Sequence, residues 1–222
     1  MSCDKSPHRI KNIFNQIAPY YDKMNDLMSL GTHFLIKTMS VKLLNLKENS
    51  SVLDLCCGSG DFTKIISKLH HKAKVIGLDN SVEMLKLAKI KNPNGSFILG
   101  DCLNLPFKEK EFGIVTVGFG LRNIENRTKA IQEAYRVLKV GGKFLHLDFG
   151  KHNFATKIFD VIVQFLVKIF NVHEKAYSYL IQSKKNYPEP KELIKEFEKE
   201  GFKLVECKNF MFGVISAQVY EK

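Results

Sequence analysis

The chain has 222 residues, 45% of them hydrophobic, which suits one α/β domain able to bury a substantial core. Lys and Arg number 34 against 23 Asp and Glu, a formal charge of +11, yet the excess is lysine scattered through helical and loop segments such as Lys64, Lys68, Lys72, Lys86 and Lys89; without an Arg-rich block and interleaved aromatics, no nucleic-acid partner is expected and a weak attraction to an anionic bilayer surface is. Five cysteines (Cys3, Cys56, Cys57, Cys102, Cys207) form no C-x-x-C pair or paired framework, and no segment reads as a signal peptide or a membrane span, so the expectation is a reduced cytoplasmic protein without metal or disulfides, at most peripheral to the inner face of the membrane.

Residues 1–45 read as a helical cap, with a break at Ala18-Pro19-Tyr20-Tyr21. The apolar run Val52-Leu53-Asp54-Leu55 is a strand that enters the glycine turn Cys56-Cys57-Gly58-Ser59-Gly60-Asp61. After a helix-sized spacer, Val75-Ile76-Gly77-Leu78-Asp79 is a second strand ending in an acid, and Ser81 is placed to cap the next helix. Ser96 to Leu99 leads to Asp101 and Cys102, and Phe112 to Val117 reads as a buried parallel strand. A helix from Thr128 to Leu138 is expected to stop at Gly141-Gly142, before a fifth strand over Phe144 to Phe149. From Asn153 to Asn171 the polar residues Lys157, Asp160, Gln164 and Lys168 recur every three or four positions, one narrow stripe on an apolar helix. Such a helix suits a core or homodimer face, or a lid that covers a greasy ligand or dips into a membrane surface. Two closing strands, Phe202 to Cys207 and Val214 to Tyr220, turn around Gly213.

Five strands separated by helices and closed by a hairpin predict an α/β fold, a doubly wound, mostly parallel, Rossmann-like sheet with a C-terminal antiparallel hairpin. The single domain 1–222 divides into the cap 1–45, a cofactor-binding core 46–150, a lid 151–190 and the hairpin region 191–222. Asp54, Asp79, Asp101 and Asp148 all fall at strand ends, the edge where such sheets bind ligands.

Strand, glycine turn, helix, strand and acid form a βαβ unit for a nucleotide-like cofactor, either a nicotinamide dinucleotide or S-adenosylmethionine. The dinucleotide fingerprint requires a third glycine where this chain has Thr63, and Asp61 sets a carboxylate where a pyrophosphate would sit. S-adenosyl-L-methionine fits better. Asp79 is then the acceptor for the ribose hydroxyls, Gly58, Ser59 and Gly60 let the backbone approach the methionine half, and Asp101 with the Cys102 backbone meets the adenine edge. Asp54 either braces the turn or binds the methionine amino group, while Cys56 and Cys57 read as small packing residues.

Several segments resemble one family over nearly the whole chain: Phe14-Asn15-Gln16-Ile17-Ala18-Pro19-Tyr20-Tyr21-Asp22-Lys23-Met24-Asn25, Ser29-Leu30-Gly31-Thr32-His33, the glycine turn, Gly118-Phe119-Gly120-Leu121-Arg122-Asn123, Tyr135-Arg136-Val137-Leu138-Lys139 and Tyr177-Ser178-Tyr179-Leu180-Ile181-Gln182-Ser183. The chain resembles the ubiquinone/menaquinone biosynthesis C-methyltransferases. It departs from their pattern at Ser59 (often Thr), Ile36-Lys37 (often Trp-Arg), Val140 (often Pro), Asp148 (often Glu) and His152 (often Pro). The resemblance implies the class I S-adenosylmethionine-dependent methyltransferase fold and methyl transfer to a ring carbon of a polyprenylated quinol, with demethylmenaquinol ahead of the ubiquinone-pathway benzoquinol. It also implies that Arg122 and Asn123 position or deprotonate the quinol hydroxyl through water and steady the phenolate; Arg is a poor base, which favours electrostatic stabilisation. Tyr21, Asp22, His33, Tyr177 and Tyr179 are candidates for the substrate mouth. Two other readings are a nucleic-acid methyltransferase, disfavoured because Gly118 to Asn123 replaces the N-P-P-Y-like turn of amino-methylating enzymes, and a cofactor-binding partner protein without turnover.

Overall fold

The computed structural model describes residues 5–29, 31–169 and 174–222, apart from the side chains of 167, 174–178 and 180. A seven-stranded sheet runs in the order β3-β2-β1-β4-β5-β7-β6. Strands β1 (Ser51–Leu55), β2 (Lys74–Asp79), β3 (Ser96–Leu99), β4 (Phe112–Gly118) and β5 (Leu138–Phe149) are parallel. β6 (Lys203–Phe210) and β7 (Ile215–Glu221) form an antiparallel hairpin whose second strand pairs antiparallel with β5. The chain builds outward from β1 to β3, then returns to lay β4 on the other side of β1. That reversal opens a crevice beyond the carboxyl ends of β1 and β4.

The two-residue period of the strands divides the core. Leu53, Leu55, Val115, Val117 and Phe144 pack with Ala130 and Ile131 of α5 (Arg127–Val137) and with Leu193 and Phe197 of α8 (Pro190–Lys199). Val52, Ile114, Leu145 and Val219 face the other way, against Phe62 and Ile66 of α3 (Asp61–Leu69) and Ile36 and Val41 of α2 (Thr32–Lys42). Strand β3 lies at the sheet edge, half-exposed.

Three local expectations give way to tertiary structure. Helix α1 (Pro7–Ser29) continues through Pro19, where the sequence predicts a break. A missing N–H inside a helix costs about 3 kcal/mol, and α1 offsets it by burying Ile17, Ala18 and Met24 beside Met84 of α4 (Val82–Lys91). Asn15 and Asp22 also tie it to the core, accepting from Ser81 Oγ at 2.6 Å and from Ser59 Oγ at 2.7 Å. Second, Gly141-Gly142 does not stop α5. The helix ends where Leu138 turns extended and pairs with Phe112 of β4, and the Lys222 ammonium donates to the carbonyls of Tyr135 and Leu138, supplying the cation a helix C-terminus favours. The glycines lie instead in a bulge of β5, where Gly141 and Gly142 exchange backbone bonds with Lys222, both at 3.0 Å.

Third, α6 (Phe154–Ile169) does not present one polar stripe. Lys157, Gln164 and Lys168 are exposed, but Asp160 is buried with Thr156 and Val163 on the face toward the protein. The solvent side carries Phe154, Ile158, Val161, Ile162, Phe165 and Ile169. Residues 170 and 171, at the end of the predicted helix, lie outside the described residues.

Candidate active site

The turn after β1 is organised by two buried carboxylates. Asp54 and Thr116 are register partners on adjacent strands, so their side chains share a sheet face. Asp54 accepts from Thr116 Oγ1 at 2.8 Å, from Thr63 Oγ1 at 2.8 Å and from Thr63 N at 3.1 Å, locking α3 onto the sheet. Thr63, standing where a dinucleotide turn would have glycine, therefore braces the turn itself. Burial pushes the Asp54 carboxyl up to about 6 against these donors. Between the ordinary value of 3.8 and about 6, the folded chain holds a proton here that the unfolded chain releases, so this contribution to stability falls as pH rises through that window. Asp54→Asn should flatten that part of the profile and relieve at most about 2 to 3 kcal/mol at neutral pH. Urea denaturation at about pH 4.5 and about pH 7 measures it, and an unchanged slope would exclude Asp54 as the source.

Asp79, at the end of β2, accepts from Gly58 N at 2.8 Å through one oxygen and from Ser81 N at 2.9 Å through the other. Each carboxylate oxygen has a second acceptor site, so two further donors can be received. Burial raises its pKa against these backbone bonds. Gly58 has φ +54° and open space where a side chain would project, so a ligand can approach its backbone. Asp101 is exposed and accepts from Leu103 N at 2.9 Å, while Cys102 is buried. A hydrogen bond with Cys102, together with burial, pushes the Cys56 thiol up, and burial does the same for Cys57; both are neutral packing groups.

The carboxylate of Asp61 does not face the site as a bare charge. Lys37 Nζ meets it at 2.6 Å, Lys91 pairs with its other oxygen, and His33 Nδ1 lies 3.8 Å away. Burial opposes ionisation of Asp61, but the two ammonium groups outweigh it and hold the carboxyl well below the usual range. Lys91 also reaches Asp22 and Ser59, each at 3.1 Å. Two ammonium groups and the carboxylates of Asp61 and Asp22 thus form one cluster, of which Lys37 and Asp61 line a cavity.

At the end of β4, a Cβ on Gly118 would meet the Phe62 ring at 2.2 Å, so only glycine lets α3 pack there. Phe119 then adopts φ +58°, as Cys56 adopts +52° across the crevice, two left-handed non-glycine residues bordering one site. The following 3-10 turn, Leu121–Asn123, buries Arg122 and Asn123. Arg122 Nη1 donates to Asp148 Oδ1 at 2.9 Å and to the Phe119 carbonyl, and its guanidinium stands 5.2 Å from the Phe149 ring centroid. Arg122 Nε, Asn123 Oδ1 and Asp148 Oδ2 are buried without a hydrogen-bond partner among the described residues. Native proteins seldom leave such atoms unmet, so the site is built for a polar ligand or ordered water.

Two cavities meet over this crevice, sharing Phe14, Tyr21, Cys56, Gly58, Gly118 and Phe119. One gathers Asp79, Asp101, Cys102 and Asn123. The other gathers His33, Asp54, Ser59 and Arg122, and adds Lys37, Asp61, Asp160 and Lys184, with Phe62, Phe149, Phe159, Val163 and Ile181 as apolar wall. The adjacent Arg122 and Asn123 therefore enter different cavities. Gly60, at φ +81°, faces Ala88 and Phe97, outside both linings. Among the described residues, Asp22 and Tyr179 also stand outside them, Asp22 tying α1 to the turn and Tyr179 buried on α7 (Glu174–Lys185). The Tyr177 side chain is outside the described residues. Sequence reasoning missed Lys91, Asp160 and Lys184, which carry no local motif; Lys37 showed only as a departure from the family pattern, and Asp148 only as a strand-end acid.

A nicotinamide-binding sheet also ends its second strand in an acid, but its glycine turn excludes a residue like Thr63, and its strand order has no β7 inserted between β5 and β6. The architecture is that of the class I S-adenosylmethionine-dependent methyltransferases. A SAM-dependent methyltransferase from Thermotoga maritima superposes with a TM-score of 0.70 over 95% of this chain and 99% of its own, at 20% identity, a likeness of fold. The chain belongs to the ubiE/COQ5 methyltransferase family, whose model matches residues 2–222. It is 35% identical over 223 residues to the demethylmenaquinone methyltransferase of Lactiplantibacillus plantarum, covering 95% of this chain and 94% of that one. To the chloroplastic 2-phytyl-1,4-beta-naphthoquinone methyltransferase of Arabidopsis thaliana it is 41% identical over 195 residues, covering 82% and 75%.

Proposed function

We propose that this enzyme transfers a methyl group from S-adenosyl-L-methionine to a ring carbon of a polyprenylated naphthoquinol, demethylmenaquinol. The observation that carries the reading is the pair of joined cavities, one bordered by Asp79 and Asp101, the other holding the Arg122 cation beside the Phe149 ring. The relatives named for naphthoquinone methylation support the same ring. Asp79 is the acceptor for the ribose hydroxyls, Asp101 and Cys102 border the adenine, and Gly58 lets the backbone approach. The methionine half reaches the junction of the two cavities, where Lys37 takes its carboxylate and Asp61, held by Lys91 from outside the linings, its ammonium. Bound S-adenosylmethionine supplies an electrophilic methyl group on a good leaving group.

The chain's residues then have to make the ring carbon electron-rich and hold it in line. Arg122, fixed by Asp148, stabilises the oxyanion that forms as the quinol hydroxyl loses its proton, and an always-charged guanidinium cannot itself take that proton. Tyr21 stands in both cavities; burial pushes its phenol up to about 12, so at neutral pH it donates a hydrogen bond and is no base. Neither group takes the hydroxyl proton, which in this reading passes to water. Asn123 acts from the cofactor side. The apolar wall around Phe149 and Phe159 excludes bulk water and strengthens the Arg122 interaction.

Helices α6 and α7 form the lid of this reading, and the apolar outer side of α6 rests on an anionic membrane surface, where a polyprenyl substrate resides. Phe212 is 94% exposed, Phe154 77% and Phe165 63%, with Lys157 and Lys168 on the same helix as the last two. Among the described residues, no helix is long and apolar enough to cross a membrane. Co-sedimentation with phosphatidylglycerol vesicles should exceed that with neutral ones, and Phe165→Ser with Phe212→Ser should weaken it about tenfold or more. Equal recovery of wild type and double variant would exclude this face.

Methyl transfer from labelled S-adenosylmethionine to demethylmenaquinol, run beside a demethoxylated benzoquinol and bulk RNA, tests the whole reading. Label in the naphthoquinol is expected. Label confined to the benzoquinol would move the ring, and label only in RNA would overturn the quinol assignment.

A further inference from the structure

Besides Arg122 and Lys37, the substrate-side cavity holds a third buried cation, which the chemistry above does not use. Lys184, on α7, has a side chain only 2% exposed and donates to Asp160 of α6. Its ammonium lies 4.9 Å from the Phe149 ring centroid and 5.1 Å from that of Phe159. Arg122 lies 5.2 Å from the same Phe149 centroid. Both charges therefore border the Phe149 ring and are no farther apart than those distances together, within the reach of a single aromatic ring with a hydrogen bond at each end. Each is held by its own carboxylate, Arg122 by Asp148 and Lys184 by Asp160, and both line the cavity.

An ammonium carries three donors, and Asp160 takes one. Beside it stand the Phe149 and Phe159 rings and the cavity that Lys184 lines. Paired with one carboxylate, the ammonium keeps donor capacity for one further acceptor in the cavity. A polyprenyl tail offers none, whereas an oxygen on the substrate ring does.

We propose that Lys184, oriented by Asp160, receives the second oxygen of a para-dihydroxy aromatic substrate whose first oxygen meets Arg122, so that the cavity selects 1,4-diols over mono-ols. This rests on the quinol reading above. Lys184 is then a specificity residue that also fixes the ring in its plane, and with it the carbon presented for methylation.

The test compares two acceptors, demethylmenaquinol with a short prenyl tail and the matching 3-prenyl-1-naphthol, which lacks the second hydroxyl. kcat/KM for each, and Kd for each in the presence of S-adenosylhomocysteine, are measured for wild type, Lys184→Met, Lys184→Arg and the double variant Lys184→Met with Asp160→Leu. The double variant leaves no unpaired carboxylate and separates lost recognition from lost folding. Lys184→Met and the double variant should lose about 10- to 100-fold on the diol and at most about threefold on the mono-ol. Lys184→Arg should keep most of the wild-type preference. Parallel losses on both acceptors in both Met variants would overturn the assignment while leaving the quinol reading intact. A wild type that binds S-adenosylhomocysteine but neither binds nor methylates the diol would overturn both.

Discussion

Asp79→Ala is expected to weaken S-adenosylhomocysteine binding by about two to four orders of magnitude. Two ribose hydroxyls on one carboxylate make two charge-assisted hydrogen bonds, each about 1.5 to 3 kcal/mol. The same oxygens hold the Gly58 and Ser81 amides, so removing them also releases the turn that approaches the cofactor. Asp79→Asn keeps one acceptor oxygen and should recover part of the loss. Because burial raises the Asp79 pKa, wild-type affinity should fall on acidification at a pH above the usual carboxyl range. Isothermal titration reads all three effects, and an Asp79→Ala affinity within a few-fold of wild type would remove the ribose assignment.

Arg122 should behave in the opposite way, leaving the cofactor bound while turnover collapses. The simple variant is ambiguous, because Asp148 is fully buried and would be stranded without its guanidinium, at a cost of about 3 to 5 kcal/mol. Pairing Arg122→Met with Asp148→Asn removes both charges and keeps the shape. That double variant should lose about 100- to 1,000-fold in kcat, the usual effect of deleting an oxyanion donor, and keep its Kd for S-adenosylhomocysteine within about threefold. Arg122→Lys retains a cation but not the planar guanidinium whose Nη1 donates to both Phe119 O and Asp148, and should fall between. If donor affinity drops as far as turnover, Arg122 belongs to cofactor binding and the division of labour between the two cavities fails.

Much of this arrangement is written in short windows of sequence. Glycine at 58 and 118, the strand-end acids, the Ser81 cap and the two-residue period of the strands are each decided within a few residues by backbone sterics and burial, which is why the sheet, its closing hairpin and the Asp79 turn are legible in the residues alone. The F-G-L-R-N element tells which side chains stand at the end of β4, but not that Arg122 and Asn123 diverge into separate cavities.

The partners of charges, by contrast, emerge only in the folded chain. Lys37 and Asp61 are 24 residues apart, Lys91 and Asp61 30, and Lys184 and Asp160 24. An ion pair has no period and no local backbone signature, so a lysine bound for a buried carboxylate reads in sequence like any solvated lysine. The same holds for Pro19, which α1 tolerates because its neighbours are buried against α4, and for Asp160, which sits in phase with an exposed stripe yet turns inward because Lys184 waits there. Backbone geometry is a short-range property that neighbouring residues settle among themselves; charge neutralisation in the interior is long-range, and only tertiary packing assigns it.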